Sequence, residues 1–333
     1  MFPGTEPTTV QGAVAAMRPG RWLVAASGGR DSMTLLHALL AARPAEVVAV
    51  ATVDHGTGAA ARQGVALVEE ACARAGVRCL VGRVNRRTAA TEAGWREARW
   101  RFLRASAAQV AGIPVTAHTR DDQAETVVQR LLRMAGPRGL AGMSRSDAAA
   151  PAPATAIVRP LLQVPRATVE TYATRHGVAF VEDPSNASVR FQRNRVRHEL
   201  LPALERAHPG FTAWCLELSR RAADWRAEVD VVVDALGVSQ PSPDVVVLPV
   251  PAVAACDVGA WEQLWPAIAA RVGIVLDRRG ILRAARWAPT ARAGQRIPIS
   301  GGHRIERTAR TFIVRRGAEA SGTSVWSEDY IEG

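Results

Sequence analysis

The sequence predicts an α/β protein, a parallel sheet with helices on both faces, followed by a smaller and mostly helical C-terminal domain. Three observations lead there. Four short apolar runs (Trp22 to Ala26, Val47 to Val53, Cys79 to Val84, Ile113 to Ala117) alternate with longer stretches of helical periodicity. The first run ends in a glycine-rich turn, Ser27-Gly28-Gly29-Arg30-Asp31-Ser32, and Leu35, Leu36 and Leu39 then recur at helical spacing. Two further runs end in polar clusters, Asp54-His55-Gly56 and His118 through Thr126. Open α/β sheets bind ligands at that end of their strands.

A strand-to-helix turn of this kind is an anion site, because its free N–H groups converge and the helix dipole favours negative charge. The glycines let backbone approach a ligand closely. Ser27 and Ser32 offer hydroxyls, and Asp31 is placed to hold a metal ion against a phosphate. The competing reading is a plain Gly-Gly turn with Asp31 or Ser32 as a helix cap. Ser300-Gly301-Gly302 shows what such a plain turn looks like: His303 and Arg304 follow instead of an acid and a serine, so a hairpin is expected there. The Walker phosphate loop is excluded, since it needs a lysine and the chain has none.

With 333 residues and 48% hydrophobic content the chain is expected to fold as two domains. The boundary falls at His208-Pro209-Gly210, giving domains over 1–207 and 208–316 and a disordered tail over 317–333. No apolar run is long enough to span a membrane. Met1-Phe2-Pro3-Gly4 has no signal-peptide character, and the four cysteines form no Cys-x-x-Cys pair. A reducing cytoplasm is therefore expected, without zinc or an iron–sulfur cluster. The net charge of +11 is carried by arginine alone and suits either a nucleic-acid binder or a solvated basic surface.

In chain order, a loose leader holds a short helix at Val10 to Met17, and Ala60 to Ala75 is helical. On the helix from Glu92 to Val110, Trp95, Ala98 and Phe102 form an apolar stripe. Glu92, Arg96, Arg99 and Leu103 form another, either a surface ion-pair ladder or a row facing a polyanion. Ala124, Val127, Val128, Leu131 and Leu132 mark a buried helix face. Asp122 and Glu125 lie one turn apart on a different stripe, with His118 and Asp121 at the helix mouth. One first-turn acid complements the dipole; two aspartates, a glutamate and a histidine exceed what capping requires. Residues 148–156 read as a loop insert, and Pro165 opens a helix through His176. The segment from Arg190 to His198 is a basic helix start whose default is a solvated face. Phe211, Trp214, Leu218, Ala222, Trp225, Val229, Val232 and Leu236 define one long amphipathic helix, and Trp261 to Val272 another. Gln240 to Pro251 is proline-rich, while Gln295 to Ser300 and Thr311 to Arg315 read as hairpin strands.

Taken together, these blocks resemble the tRNA(Ile)-lysidine synthetase family of the PP-loop ATP pyrophosphatases, over roughly residues 20–205. The motifs carrying the resemblance are Ser27-Gly28-Gly29-Arg30-Asp31-Ser32, Asp54-His55-Gly56, Glu92 with Arg96 and Arg99, and His118-x-x-Asp121-Asp122-Gln123-x-Glu125-Thr126. Further matches are Gly136-x-x-Gly139-Leu140-x-Gly142-Met143, Arg159-Pro160-Leu161-Leu162, Glu182-Asp183-Pro184-Ser185-Asn186 and Arg193-Asn194-Arg195-x-Arg197. Trp100 stands where a tyrosine is usual, and Gly58 to Arg62 lacks the Leu-Arg that commonly follows His-Gly.

The resemblance implies an adenine nucleotide alpha hydrolase-like catalytic domain over 1–207 and a tRNA-binding domain over 208–316. It implies that ATP adenylates C2 of the wobble cytidine in a CAU-anticodon isoleucine tRNA, after which free L-lysine displaces AMP to form lysidine. By the same resemblance Ser27, Gly28, Gly29, Arg30, Asp31, Ser32, Asp54 and His55 bind ATP, and Asp31 and Asp121 hold Mg²⁺. Asp31, His118, Asp121 and Arg195 are the implied catalytic residues. Asp122 and Glu125 would bind lysine, and Arg96, Arg99, Arg193 and Arg197 tRNA. Other PP-loop enzymes, tRNA thiolases and amidating synthetases, remain alternatives; the missing Cys-x-x-Cys and glutaminase domain weigh against them. The association state is left open, a homodimer being one option.

Overall fold

The computed structural model describes residues 8–54, 56, 58–83, 92–146, 156–182, 192–299 and 301–317, though not the side chains of residues 92, 93, 95 and 96. In chain order the helices are α1 Val10–Ala15, α2 Arg30–Ala42, α3 Ala59–Ala75, α4 Glu92–Gln109, α5 Arg120–Leu132, the short α6 Pro137–Leu140, α7 Arg166–Arg175, α8 Gln192–Arg195 and α9 Leu201–Ala207. Then come α10 Phe211–Ala235, α11 Val258–Ala270 and α12 Arg278–Trp287. The strands are β1 Trp22–Ala25, β2 Val47–Asp54, β3 Cys79–Arg83, β4 Ile113–Val115, β5 Ser239–Ser242, β6 Val245–Pro249, β7 Arg296–Ile299, β8 His303–Arg307 and β9 Thr311–Arg315.

The described residues divide into two compact units. One runs to Gln129 and takes Met143–Thr212; the other takes Arg130–Gly142 and continues from Ala213. The first is built on a four-stranded parallel sheet of order β3-β2-β1-β4. Its strands are nearly all apolar because both faces are covered. Trp22 and Val24 point into a core shared with Val10 and Val14 of α1, Leu35, Leu36 and Leu39 of α2, and Val169 and Tyr172 of α7. Leu23 points the other way, to Ala49, Ala51 and Leu80 and to Leu103 and Ala107 of α4. The expected α/β layering, with helices on both faces, is therefore present. Of the loop insert at 148–156 only Ala156 is described, and of the tail at 317–333 only Gly317, whose N–H donates to His303 Nδ1 at 2.9 Å.

In the second unit helices account for most of the regular structure. They share a core with an antiparallel sheet of order β5-β6-β9-β8-β7. Only two of those strands, β7 and β9, are legible from the sequence. β6 lies inside the proline-rich stretch and is short, alternating half-buried and buried positions. Gly301 and Gly302 do sit in a hairpin turn, between β7 and β8. The core centres on Trp261 and Trp265, stacked at 4.7 Å, with Phe312 edge-on to both.

Helix α10 forms as one unit, but its buried stripe is Cys215, Ser219, Ala222 and Val233. The apolar pattern put Trp214 and Val232 there, and both are about half exposed. The stripe is rotated by one residue because small side chains let the helix approach its neighbours closely, while Trp214 is too bulky for that face. Truncating Trp261 to Ala should therefore cost about 3–5 kcal/mol in urea unfolding. The same change at Trp214, which is 53% exposed, should cost less than about 1 kcal/mol.

Candidate functional site

The glycine turn joins β1 to α2. Gly28 has φ +79°, the left-handed region, and Gly29 is the helix N-cap, so the turn needs glycine first for conformation. The serines tie the loop to itself. Ser27 donates its N–H to Ser32 Oγ at 3.1 Å, the two hydroxyls lie 3.2 Å apart, and Ser32 Oγ donates to the Gly29 carbonyl at 2.9 Å. Space is the second reason for glycine. A Cβ on Gly28 would collide with the backbone of Gly64, and one on Gly64 would lie 2.7 Å from the Ser27 carbonyl oxygen. Helix α3 thus presses backbone to backbone on the loop. Gly64 is missed by the sequence reading; its only signal is a glycine inside a helix, where alanine is ordinarily about 1 kcal/mol better.

A cleft of about 960 Å³ opens against this loop, lined among others by Ser27, Gly29, Arg30, Asp31, Ser32, Arg99, His118, Arg166, Arg193 and Arg197. Asp31 stands on the first turn of α2. Burial pushes its carboxyl up to about 6, with Asp122 adding to the rise, and Arg166 only partly offsets this from 3.8 Å away. His118 shares a hydrogen bond through Nδ1 with the Thr116 hydroxyl at 2.9 Å, which fixes the ring at the cleft wall.

Asp122 and Glu125 are buried at the start of α5. One Asp122 oxygen accepts from the Thr119 N–H (2.7 Å) and hydroxyl (2.9 Å), so capping is part of its role. Its other oxygen accepts from Arg166 at 2.9 Å, Arg193 at 2.8 Å and Arg197 at 3.2 Å. Glu125 accepts from Arg197 Nε at 2.6 Å, Arg193 Nε at 3.0 Å and Arg166 at 3.3 Å. Burial alone would raise the Asp122 carboxyl, but Arg193 and Arg166 hold it below the usual carboxylate range. Arg193 and Arg197, expected from the sequence as tRNA contacts, thus turn inward onto these acids. Arg166 is missed altogether. Its one signal is a cation in the first turn of α7, against the helix dipole, where an acid partner is needed.

The remaining site residues are placed as follows. Asp121 accepts from the Arg166 backbone N–H at 2.8 Å and so caps α7. Asp54 ends β2 and accepts from the Gly56 N–H at 2.7 Å. Arg99 is exposed and lines the cleft, whereas Arg195 is exposed and is not part of the lining. His55 and the Arg96 side chain lie outside the described residues. Arg30 pairs with Glu170 and, at 3.0 Å, with Glu182, and lies over the Phe180 ring. With the Val181 N–H donating to the Gly28 carbonyl at 2.9 Å, residues 180–182 are strapped to the glycine loop. Among the described residues no three His, Cys, Asp or Glu gather as a metal site.

A parallel sheet with a glycine anion loop and acids at its carboxyl edge defines a nucleotide-binding class. The chain belongs to the PP-loop domain family, whose model matches residues 6–204. Within that family it is 39% identical to a tRNA(Ile)-lysidine synthase of Pseudomonas aeruginosa over 230 residues, covering 67% of this chain and 51% of that one. It is 42% identical to the Salinispora arenicola protein of the same name, covering 56% of this chain and 57% of that one. The chain spans about half the length of the curated relatives it matches. A U34-tRNA thiolase from Methanococcus maripaludis shares the fold at TM-score 0.53 and 15% identity, covering 65% of this chain and 78% of that one. No helix among the described residues is long and apolar enough to cross a membrane.

Two outcomes follow from the site. Gly64→Ala should weaken ATP binding at least about tenfold by calorimetry and lower stability, reversing the usual gain of about 1 kcal/mol for this change in a helix. Asp31→Asn should stabilise the protein at pH 7.5. The folded carboxyl titrates near 6 against 3.8 unfolded, so its ionised form opposes folding above that range and the effect vanishes below it. The gain should be on the order of 1–2 kcal/mol after allowing for screening of a partly exposed side chain, and unfolding at pH 3.5 should show none.

Proposed function

We propose that the chain is an ATP-dependent ligase that joins L-lysine to C2 of the wobble cytidine of a CAU-anticodon isoleucine tRNA, through an adenylated cytidine. The observation that carries this reading is the cleft that brings the glycine loop, Asp31 and His118 together with Arg166, Arg193 and Arg197, the three arginines that pair with Asp122 and Glu125. The names of the relatives supply the substrate class.

In this reading the loop amides and Ser27 and Ser32 hold the β and γ phosphates of ATP as charge develops on the leaving pyrophosphate. Arg30 and Asp54, with His55, complete the nucleotide contacts. The cytidine C2 oxygen attacks the α-phosphorus beside His118, and the P–O bond to pyrophosphate breaks. The ε-amine of lysine then attacks C2, loses a proton and expels AMP. Mg²⁺ would neutralise phosphate charge. Asp31 suits it, being a half-buried carboxylate on the cleft wall with Arg166 3.8 Å away; Asp121 would be the second ligand. Arg99, Arg96 and Arg195 would meet the anticodon loop. Residues 208–316 would bind the rest of the tRNA, and 1–207 would form the catalytic domain.

Asp122 and Glu125 would hold the lysine ammonium. Arg193 is the most exposed of their three arginine partners. It is the one to swing away when the ammonium arrives, freeing itself for RNA phosphate. Incubation with ATP, labelled lysine and the tRNA transcript should put label into the tRNA with one AMP per lysine. Glu125→Gln should raise the KM for lysine at least about tenfold while tRNA adenylation without lysine persists. Unlabelled tRNA from the intact protein, or an unchanged lysine KM in the variant, would count against the proposal.

A further inference from the structure

The sequence reading placed tRNA recognition on Arg193 and Arg197, yet both side chains are engaged by buried acids in this structure. The chain's excess positive charge lies elsewhere. Residues 278–316 contain eleven arginines and a single acid, Glu306, nearly the whole of the net +11. Helix α12 opens this segment. Its inner face, Ala284 and Ala285 with Ile281 and Ala288, is packed into the core of the second unit. Its outer face presents Arg279, Arg283 and Arg286 at i, i+4 and i+7, all exposed. They rim a shallow concavity of about 520 Å³ completed by Leu282 and Trp287.

Several arginines of this protein have acids beside them; on α10, for example, Arg220 and Arg221 share Glu217. Arg279 and Arg286 differ, having no ion pair or hydrogen bond among the described residues, and Arg283 donates only to the Pro298 carbonyl on the edge strand β7. Three like charges along one line repel one another and are favourable only opposite a line of negative charge. A rise of 1.5 Å per residue separates them by about 4.5–6 Å along the axis, close to the spacing of successive backbone phosphates. An anionic membrane would be the other polyanion. An interfacial helix needs its apolar face free for the bilayer, and that of α12 is already used in the core.

We propose that the Arg279–Arg283–Arg286 row of α12 is a docking surface for the phosphate backbone of RNA, recognising charge and not base sequence. The proposal rests on the reading that tRNA is the substrate, and gives that tRNA a contact surface outside the cleft. Trp287 is half-buried with its ring edge-on to Phe312, 5.9 Å between centroids. It forms a rigid wall to the concavity, against which a ribose or base can rest.

The test is the salt dependence of RNA binding. Fluorescence anisotropy would follow an unmodified CAU-anticodon isoleucine tRNA transcript and an unrelated elongator tRNA, over about 50–300 mM KCl. Arg279→Gln with Arg286→Gln removes only side chains without partners, so the fold should be retained by circular dichroism. The double variant should bind both RNAs about tenfold more weakly near 0.1 M salt. Its slope of log affinity against log salt should be shallower by about 1.5–2, and adding Arg283→Gln should flatten it further. Unchanged affinity and slope, with the intact protein binding tRNA, would overturn the surface and leave the proposed ligase standing. Failure of the intact protein to bind either RNA would remove both. Loss of binding to phosphatidylserine vesicles with RNA binding intact would assign the row to a lipid surface and overturn the proposal.

Discussion

Two carboxylates, Asp122 and Glu125, sit buried one turn apart at the start of α5, and neither is stable as an anion there without counter-charge. The protein meets that demand with Arg166 from the start of α7, with Arg193 from α8 and with Arg197 from the helical turn that follows α8. Segments separated by some forty to seventy residues in the chain are thereby drawn to one point beside the glycine loop. The backbone follows the same logic: Asp121, next in sequence, caps α7, so the helix that supplies Arg166 is anchored by the helix that needs it.

The glycine loop is held in another way, by backbone contact. The loop is clamped between Gly64 of α3 and the strap at residues 180–182, which bonds to the Gly28 carbonyl and is gripped by Arg30. Side chains would hold such a loop less rigidly, and its amides have to stay aimed at a fixed point to be useful to an anion. Asp31, raised by burial to about 6, is the complementary feature. A carboxylate ionised in that position opposes folding, whereas a helix cap would be served by full exposure.

The second unit divides its labour between faces. Its apolar content is drawn into the Trp261–Trp265–Phe312 core. On the arginine-rich helix α12 the buried residues are Gly280, Ala284 and Ala285, with Ile281 and Trp287 partly buried beside them. Small residues suffice there because they let the helix lie close to the core, leaving every long basic side chain on the outside. The buried positions of α12 are small residues that read as neutral in a sequence, which is why it escapes a reading based on large apolar side chains while α11, with two tryptophans, does not.

The sequence by itself determined the parallel α/β layering, the glycine loop at the end of β1, and the cluster of acids at the mouth of α5. These are local in the chain: strand runs, helix periodicity and a turn each declare themselves within about ten residues. Tertiary structure alone decided which cations answer the acids, that Gly64 seats the loop, that Arg195 points away while its neighbours Arg193 and Arg197 turn inward, and where β5, β6 and β8 pair. The physical reason is common to all four. Each depends on a partner distant in sequence, and an arginine, a glycine or a short strand carries no mark of what it will meet across the fold.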